Sequence, residues 1–189
     1  YKKLDGVIHY LAPDSNNERS TPFVETITED GGYHRTINEQ QQINKLADLQ
    51  TGGYIEYENN TVKVGGVLQY RKLSIPIRQS TEPYSFFSFQ GDNYLKNGIY
   101  YDAVFRNINL FGEWSYCFSN LTLAQNHGAL ISIHRKLDLS VLYRNYHPGF
   151  ITYQTNGFGE NSNAKNEKGL YLGYQIKLKK YISIVGYYD

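Results

Sequence analysis

Residues 62–71 read Val-Lys-Val-Gly-Gly-Val-Leu-Gln-Tyr-Arg, and their side chains alternate between two kinds. One face carries Val62, Val64, Gly66, Leu68 and Tyr70, and the other carries Lys63, Gly65, Val67, Gln69 and Arg71. A period of two is the main sequence signal of a β-strand, because successive side chains point to opposite sides of the sheet. The stretch therefore predicts a strand with one apolar and one polar face.

The same alternation recurs along the chain. It is strong at 108–117, 137–145 and 169–178, and each stretch is close to the ~9–11 residues that a tilted strand needs to cross a bilayer. Weaker alternation predicts further strands at 3–11, 53–58, 96–105, 127–134 and 181–188. These stretches predict nine strands in total. Tyr84–Phe89 is a possible tenth strand, although an extended loop is the preferred interpretation.

The connections between these strands alternate in length. Two-residue turns are predicted at Asn59-Asn60, Arg106-Asn107, Arg135-Lys136 and Lys179-Lys180. Long polar connections are predicted at 12–52, 73–94, 118–126 and 147–168. Transmembrane β-barrels have short turns on the periplasmic side and long loops outside, whereas a soluble meander has no reason for this asymmetry.

Composition sets the broad class of the protein. The chain has 189 residues, a formal net charge of +1, 19 tyrosines and one cysteine, Cys117. The low net charge gives no general attraction for nucleic acid, and a single cysteine forms no internal disulfide or cysteine cluster. We expect one β-barrel domain over residues 1–189, and we expect it to be a portion of a longer chain because both ends lie within predicted strands.

One segment has helical features. Thr36 and Glu39 form a capping-box pattern, and Ile37, Ile43, Leu46 and Leu49 form an incomplete apolar stripe. The sequence therefore predicts a helix from Thr36 to Leu49 that ends by Gly52-Gly53, within the long 12–52 connection. Its apolar residues should pack on loop aromatics such as Tyr84, Phe86 or Phe87.

No pattern of catalytic or ligand-binding residues stands out. The five histidines are not spaced as metal ligands, and no nucleophile elbow, phosphate loop or dinucleotide motif is present. The acid–base candidates Asp5, His9, Glu113 and Ser115 fall on different strands. We therefore expect no enzyme activity, no catalytic residues, no cofactor and no metal site.

The polar faces of the predicted strands carry charges of both signs. In a barrel these side chains point into the lumen, and the principal candidates are Lys63, Arg71, Asp102, Glu113, Asp138, Arg144 and Lys177. A pore that selects ions by charge tends to gather one sign. The mixed signs favour a structural wall, with a selective conduit as the alternative.

Four short stretches resemble one family of envelope proteins. They are Gly32–Thr36, Asn126–Ser132, Leu139–His147 and Asn166–Gly173. They look like the barrel region of a Bacteroidota family described as helix-hairpin-helix-containing proteins. The resemblance implies an outer-membrane location and a barrel fold, while the activity of that family is undefined. The helix-hairpin-helix segment of the family is not in this sequence, so DNA binding is not carried over.

The sequence thus predicts an all-β, antiparallel, up-and-down transmembrane β-barrel, or a large part of one, with about nine or ten strands and one short helix in a long loop. Its expected place is the bacterial outer membrane. The expected role is transport or pore formation, or a membrane-anchored subunit of an envelope complex. The expected partners are outer-membrane lipid, other envelope proteins or further strands of the same chain, and not nucleic acid. The alternative is a soluble β-sandwich or barrel that binds carbohydrate or a surface.

Overall fold

The computed structural model describes residues 1–10, 21–28, 35–78, 86–151, 157–159, 164–179 and 181–189. It confirms an all-β fold of up-and-down strands. The elements in chain order are β1 (Lys2–Tyr10), β2 (Pro22–Thr28), α1 (Ile37–Gln41), β3 (Leu46–Glu58), β4 (Val62–Ile77), β5 (Gly91–Phe105), β6 (Ile108–Cys117), β7 (Thr122–His134), β8 (Leu137–Tyr146), β9 (Glu167–Lys179) and β10 (Ile182–Tyr188).

Hydrogen-bonded neighbours follow the order β10-β9-β8-β7-β6-β5-β4-β2-β1-β3, and β4 also pairs with β3. The chain divides into two compact units. Unit 1 comprises Tyr1–Gly52 and Gln69–Leu95, and unit 2 comprises Gly53–Leu68 and Lys96–Asp189. The division falls within β3, β4 and β5, so each of these strands contributes one part to each unit.

Unit 1 is a small closed ring of strands. β1 is antiparallel to both β2 and β3, and β2 meets β4 in a parallel bridge between Val24 and Ile77. The pairing of β4 with β3 completes the ring. Apolar side chains fill its interior because alternate residues of each strand point inward. The core side chains are Leu4, Val24, Leu46, Leu73, Ile77, Phe89 and Tyr94.

Unit 2 is an antiparallel meander with its tight turns at one end. The pairing of β5 with β6 and of β6 with β7 is unbroken from the first residue of β6, Ile108, to its last, Cys117. The backbone amide of Val104 donates to Thr61, that of Ser132 to Asn107, and that of Lys177 to Lys136. These three bonds link each tight turn to the neighbouring hairpin, so the turns lie along one edge of the sheet.

The loops of unit 2 meet at the opposite end. The Asn120 side chain donates to the carbonyl of Gly149 at 2.5 Å, and the amide of His147 donates to Leu123 at 3.2 Å. The predicted separation of turns and loops is therefore found in this unit. The predicted two-residue turns at Arg106-Asn107 and Arg135-Lys136 are confirmed, and Lys180 lies outside the described residues. The turn predicted at Asn59-Asn60 was one residue too short, because Thr61 also lies between β3 and β4.

Several predicted boundaries were wrong. The connection predicted at 118–126 is only the short turn between Cys117 and Thr122, because Thr122–Gln125 pair with β6 as the start of β7. The segment at Pro22–Thr28 is a strand that alternation did not reveal. Its proline occupies the first position of the strand, where the lack of a backbone N–H is tolerated. Phe86–Phe89, the described part of the possible tenth strand, is not in a strand, in agreement with the preferred interpretation of this segment as part of a loop.

The predicted helix was correct at its start and wrong at its end. Thr36 caps α1 in a complete capping box with Glu39, but the helix ends at Gln41. Asn44 has a φ of 55°, which turns the chain, and β3 begins at Leu46. Leu46 is fully buried inside the ring of unit 1. Burial of alternate β3 residues in this core outweighs the weak helical stripe of a Gln-rich segment.

Candidate functional site

The polar face of unit 2 carries most of the predicted lumen-facing charges, and they form local groups. At the turn end, the Lys63 ammonium lies 3.1 Å from Glu56 and 3.6 Å from Glu58. The Tyr100 hydroxyl donates a hydrogen bond to the same Glu56 carboxylate. The two carboxylates and the lysine come from the two strands of one hairpin, so this group joins that hairpin to β5.

A second group also lies towards the tight turns. The Lys177 ammonium donates to Asp138 at 2.6 Å, and the Ser132 hydroxyl donates to the same carboxylate at 2.7 Å. The group therefore links β7, β8 and β9. Nearby in the fold of unit 2, the Asn109 amide donates to Asp102 at 3.0 Å.

A third group lies at the loop end, around Arg144. Its Nε donates to Glu167 and its Nη1 donates to Asp189 at 2.6 Å. The Arg144 side chain is only 2% exposed, which means that a charge is buried here with two carboxylate partners. Buried charges require such pairing, because desolvation of an isolated ion is costly. This group joins β8, β9 and the residue that follows β10.

Glu113 and Arg71 are placed differently. Glu113 is exposed on the polar face of β6, opposite Tyr100 on one side and Asn126 on the other. Arg71 lies in unit 1, inside the ring, where it donates twice to Asp48. Burial works to lower the pKa of Arg71, but hydrogen bonds with Asp48 and Tyr94 raise it above its ordinary value. Arg71 is therefore a charged core residue of unit 1.

Aromatic rings lie over glycines on the same polar face. A Cβ added to Gly128 would collide with the Phe111 ring, and one added to Gly65 would collide with the Tyr100 ring. Each glycine stands on the strand next to its ring, so the absent side chain leaves space for the ring to lie flat on the sheet. These pairs pack the face with rings instead of leaving it open to water.

A loop segment covers the loop end of the polar face, and we call residues 149–151 the cap. Phe150 is 4% exposed and packs with Ala124 and Tyr146. The Lys96 ammonium donates to the carbonyl of Ile151 at 3.3 Å and lies 5.9 Å from the centre of the Phe150 ring. The Tyr146 hydroxyl donates to the carbonyl of Phe158, which ties a second part of the same loop to the sheet.

Among the described residues, no group of three or more His, Cys, Asp or Glu side chains could hold a metal ion. Of the acid–base candidates, His9 lies beside Glu25 at 3.7 Å in unit 1, whereas Ser115 donates to the carbonyl of Asn97 in unit 2. The absence of enzyme activity remains a prediction.

Several partners in these groups were missed by sequence reasoning. Asp48 was assigned to the helix, and Glu167 was assigned to a loop, so neither was recognised as the partner of a buried arginine. The cap was missed as well, because Phe150 and Ile151 stand in a connection without periodic pattern. The one available signal was that Arg71 and Arg144 stand on the inward-pointing face of alternating segments, where a charged side chain is usually paired with an acidic one.

In the described part of the chain, no helix combines the length and the hydropathy needed to cross a bilayer. No protein-family model matches the sequence, and neither the curated proteins nor the solved structures contain a match.

Proposed function

We propose that this protein is a bacterial outer-membrane β-barrel protein, in which the strands of unit 2 cross the bilayer. One observation carries the proposal. The apolar face of unit 2 has no Asp, Glu, Lys or Arg on its described strands, except for Lys168 at the loop end. The strand positions that face lipid in a transmembrane β-barrel are apolar, because a charged side chain is costly in the hydrocarbon.

The side chains of this face are exposed instead of being packed in a core. The half-exposed members from four strands include Leu68, Ile99, Leu110, Trp114, Leu170 and Leu172. A contiguous apolar surface across many strands is unusual for a water-soluble protein and indicates a partner that covers it. Hydrocarbon chains are a partner that suits the exposed apolar side chains of these strands.

The polar face supports a role as an anchor or envelope subunit more than as an open pore. Its lysine and arginine side chains are engaged by carboxylates in the pairs Lys63–Glu56, Lys177–Asp138 and Arg144–Glu167. The cap adds apolar side chains over the loop end of the face. Transport remains the alternative role, and it requires the cap to move away from the polar face.

The sheet edges of unit 2 give the proposal a structural requirement. In the described pairings, β10 pairs with one neighbour, β9, and the unit 2 part of β3 pairs with one neighbour, β4. Each of these strands therefore forms an edge of the sheet. Lipid does not tolerate unpaired backbone groups. Further strands of the same chain or strands of another envelope protein would therefore pair with these edges.

The soluble binding module remains the second candidate, and it makes a distinct prediction. It requires Leu68, Leu110, Leu139 and Leu172 to be buried together in one interior. Three of these leucines are 43–50% exposed, and Leu139 is partly exposed. The soluble alternative would thus need a partner protein over the whole apolar face.

Adjacent residues on β4 provide the test. Leu68 is on the apolar face and Val67 is on the polar face, and they are 50% and 40% exposed. We would compare Leu68→Arg with Val67→Arg in the full chain refolded into phosphatidylcholine vesicles. An arginine on a lipid face costs about 2–4 kcal/mol near the bilayer centre. The proposal expects L68R to be destabilised by that order and V67R to insert like the unchanged chain. Equal tolerance of both substitutions would overturn it.

A further inference from the structure

The tight-turn end of unit 2 carries a concentration of positive charge. Arg106 forms part of the turn after β5, Arg135 and Lys136 form the turn after β7, and Lys179 ends β9. All four side chains belong to exposed residues. We call these four residues the basic collar.

The members of the basic collar lie on one edge of the sheet. Asn107, beside Arg106, donates from its side chain to the carbonyl of Ser132 at 2.7 Å, close to the next turn. Lys136 accepts a hydrogen bond from the amide of Lys177 at 2.8 Å, two residues before Lys179. The three turns are therefore neighbours along the edge, and their charges act on the same surface.

The collar residues are all positively charged, whereas the remaining residues of the chain have a negative net charge. Its four residues contribute +4, whereas the whole chain has a formal net charge of +1, so the remaining residues sum to +1 − 4 = −3. Of the nearby groups, Lys177 and Asp138 form a one-to-one pair, whereas Lys63 lies between Glu56 and Glu58 and leaves one carboxylate in surplus. This carboxylate and that of Asp102, which pairs with the neutral Asn109, offset part of the four collar charges, and the collar keeps a positive balance.

The collar borders a cleft and exposed aromatic rings. A cleft of about 580 Å³ at this end is bordered by Lys136 and Lys179. Its lining includes the polar-face residues Gln175, Lys177 and Ser183 and the apolar side chains of Leu178 and Ile182. At the neighbouring turn, the Arg106 guanidinium lies 5.5 Å from the centre of the Phe105 ring. Phe105 and Tyr181 are both largely exposed. Aromatic and basic side chains together are typical of the boundary between lipid and water.

We propose that the basic collar binds the phosphate head groups of anionic phospholipid in the leaflet that faces the tight turns. This inference rests on the proposed membrane function, since the apolar face must be in lipid for the collar to reach that leaflet. Lysine and arginine side chains at such a boundary place their charge in the head-group layer. Anionic lipid is attracted to clustered basic residues within about a Debye length.

Two pairs of exposed lysines allow a matched test. Lys136 and Lys179 belong to the collar, whereas Lys165 and Lys168 lie at the loop end, and each pair carries two positive charges. We would prepare the full chain, K136Q/K179Q and K165Q/K168Q. Native mass spectrometry would give each protein's dissociation constants for phosphatidylglycerol and phosphatidylcholine. Flotation with pure phosphatidylcholine vesicles would measure insertion separately.

The unchanged chain should prefer phosphatidylglycerol over phosphatidylcholine. In K136Q/K179Q this preference should fall by on the order of five-fold for each lysine removed, while K165Q/K168Q should keep it. Equal losses in both variants would reflect overall charge and would overturn the inference. Loss of the preference in the presence of inorganic phosphate would identify a free-anion site and would also overturn it.

The flotation arm separates the two proposals. If the chain floats with phosphatidylcholine vesicles but shows no preference for the anionic lipid, the collar is not a lipid site and the membrane proposal stands. If the chain does not enter the vesicles, the membrane proposal fails, and the inference drawn from it fails as well.

Discussion

Arg71 and Asp48 form a two-point ion pair inside unit 1, with Nε and Nη2 of the arginine each 3.0 Å from a carboxylate oxygen. Both side chains are 1% exposed or less. The Gln50 side chain donates to Asp48 at 2.6 Å and adds a third hydrogen bond to this carboxylate. The pair joins the neighbouring strands β3 and β4 inside the ring, so the core of unit 1 contains a buried ion pair as well as its apolar side chains.

Replacing Asp48 with Asn should destabilise the protein strongly. The guanidinium of Arg71 would remain buried without its counter-charge, which typically costs about 3–5 kcal/mol. The double variant D48L/R71M removes both charges and should recover most of the loss, because apolar replacements of a buried pair are often nearly neutral. Urea unfolding measures both changes. Asp138→Asn, in the exposed pair with Lys177, is the control and should have a much smaller effect. A D48N midpoint equal to that of the unchanged protein would contradict the prediction.

Adding a methyl group under an aromatic ring should disturb the polar face. In Gly128→Ala the new Cβ would meet the Phe111 ring, and overpacking of this kind costs about 1–3 kcal/mol. In the double variant G128A/F111L, leucine replaces the larger phenylalanine ring and should restore part of the lost stability. Gly53 is the control, since a Cβ there has no atom within 4 Å. The midpoints of denaturant unfolding should fall in G128A and change little in G53A. Equal effects at both glycines would show that the ring does not depend on this space.

Opening the cap should expose the single cysteine. Cys117 is fully buried, and it pairs with Lys96 in the neighbouring strand, whose ammonium contacts the cap. Phe150→Ala removes the ring that packs on Ala124 and Tyr146, so the rate at which a maleimide labels Cys117 should rise at least several-fold. Leu121→Ala is the control, because Leu121 is exposed at the same end and belongs to no core cluster. An unchanged rate in F150A would mean that the cap does not shield the loop end.

Removing the Thr36 cap should weaken the short helix α1. The Thr36 hydroxyl accepts a hydrogen bond from the amide of Glu39 at 3.2 Å, and the Glu39 carboxylate accepts one from the amide of Thr36. Loss of an N-cap residue typically costs about 1 kcal/mol. Hydrogen exchange of the α1 amides should therefore be faster in T36A. Gln41→Ala, at the other end of the helix, is the control and should leave the exchange rates nearly unchanged. If T36A and the unchanged protein exchange alike, the capping box contributes nothing to the helix.

The fold of unit 2 could be predicted because its determinants are local. Alternation along one strand, as at 108–117, reports both the strand and its two faces, and short turns such as Arg106-Asn107 are encoded within a few residues. Strand ends were less predictable. Thr122–Gln125 fall in the connection predicted at 118–126, but residues 122–131 form ten consecutive pairs with β6. Pairing partners can extend a strand beyond the segment that shows the pattern.

Unit 1 and the cap could not be predicted because they depend on contacts between distant segments. Leu46 fits a helical stripe in the sequence, but in the structure it is the first residue of β3 and is buried inside the ring of unit 1. Arg144 was placed on the polar face correctly by alternation, whereas its partners Glu167 and Asp189 are 23 and 45 residues away. No periodicity connects residues at such separations, so only the three-dimensional structure reveals the buried groups.

The hairpins of unit 2 are repeats of one structural plan, which has a consequence for how such a protein can change during evolution. Each hairpin has its own tight turn, its own apolar face and its own share of the polar face. Duplication of one hairpin would add two strands without disturbing the cap or the ring of unit 1. If unit 2 belongs to a barrel, as proposed, its diameter would grow with strand number, and the edges that the described pairings leave at β10 and β3 are the positions where an added hairpin would widen it.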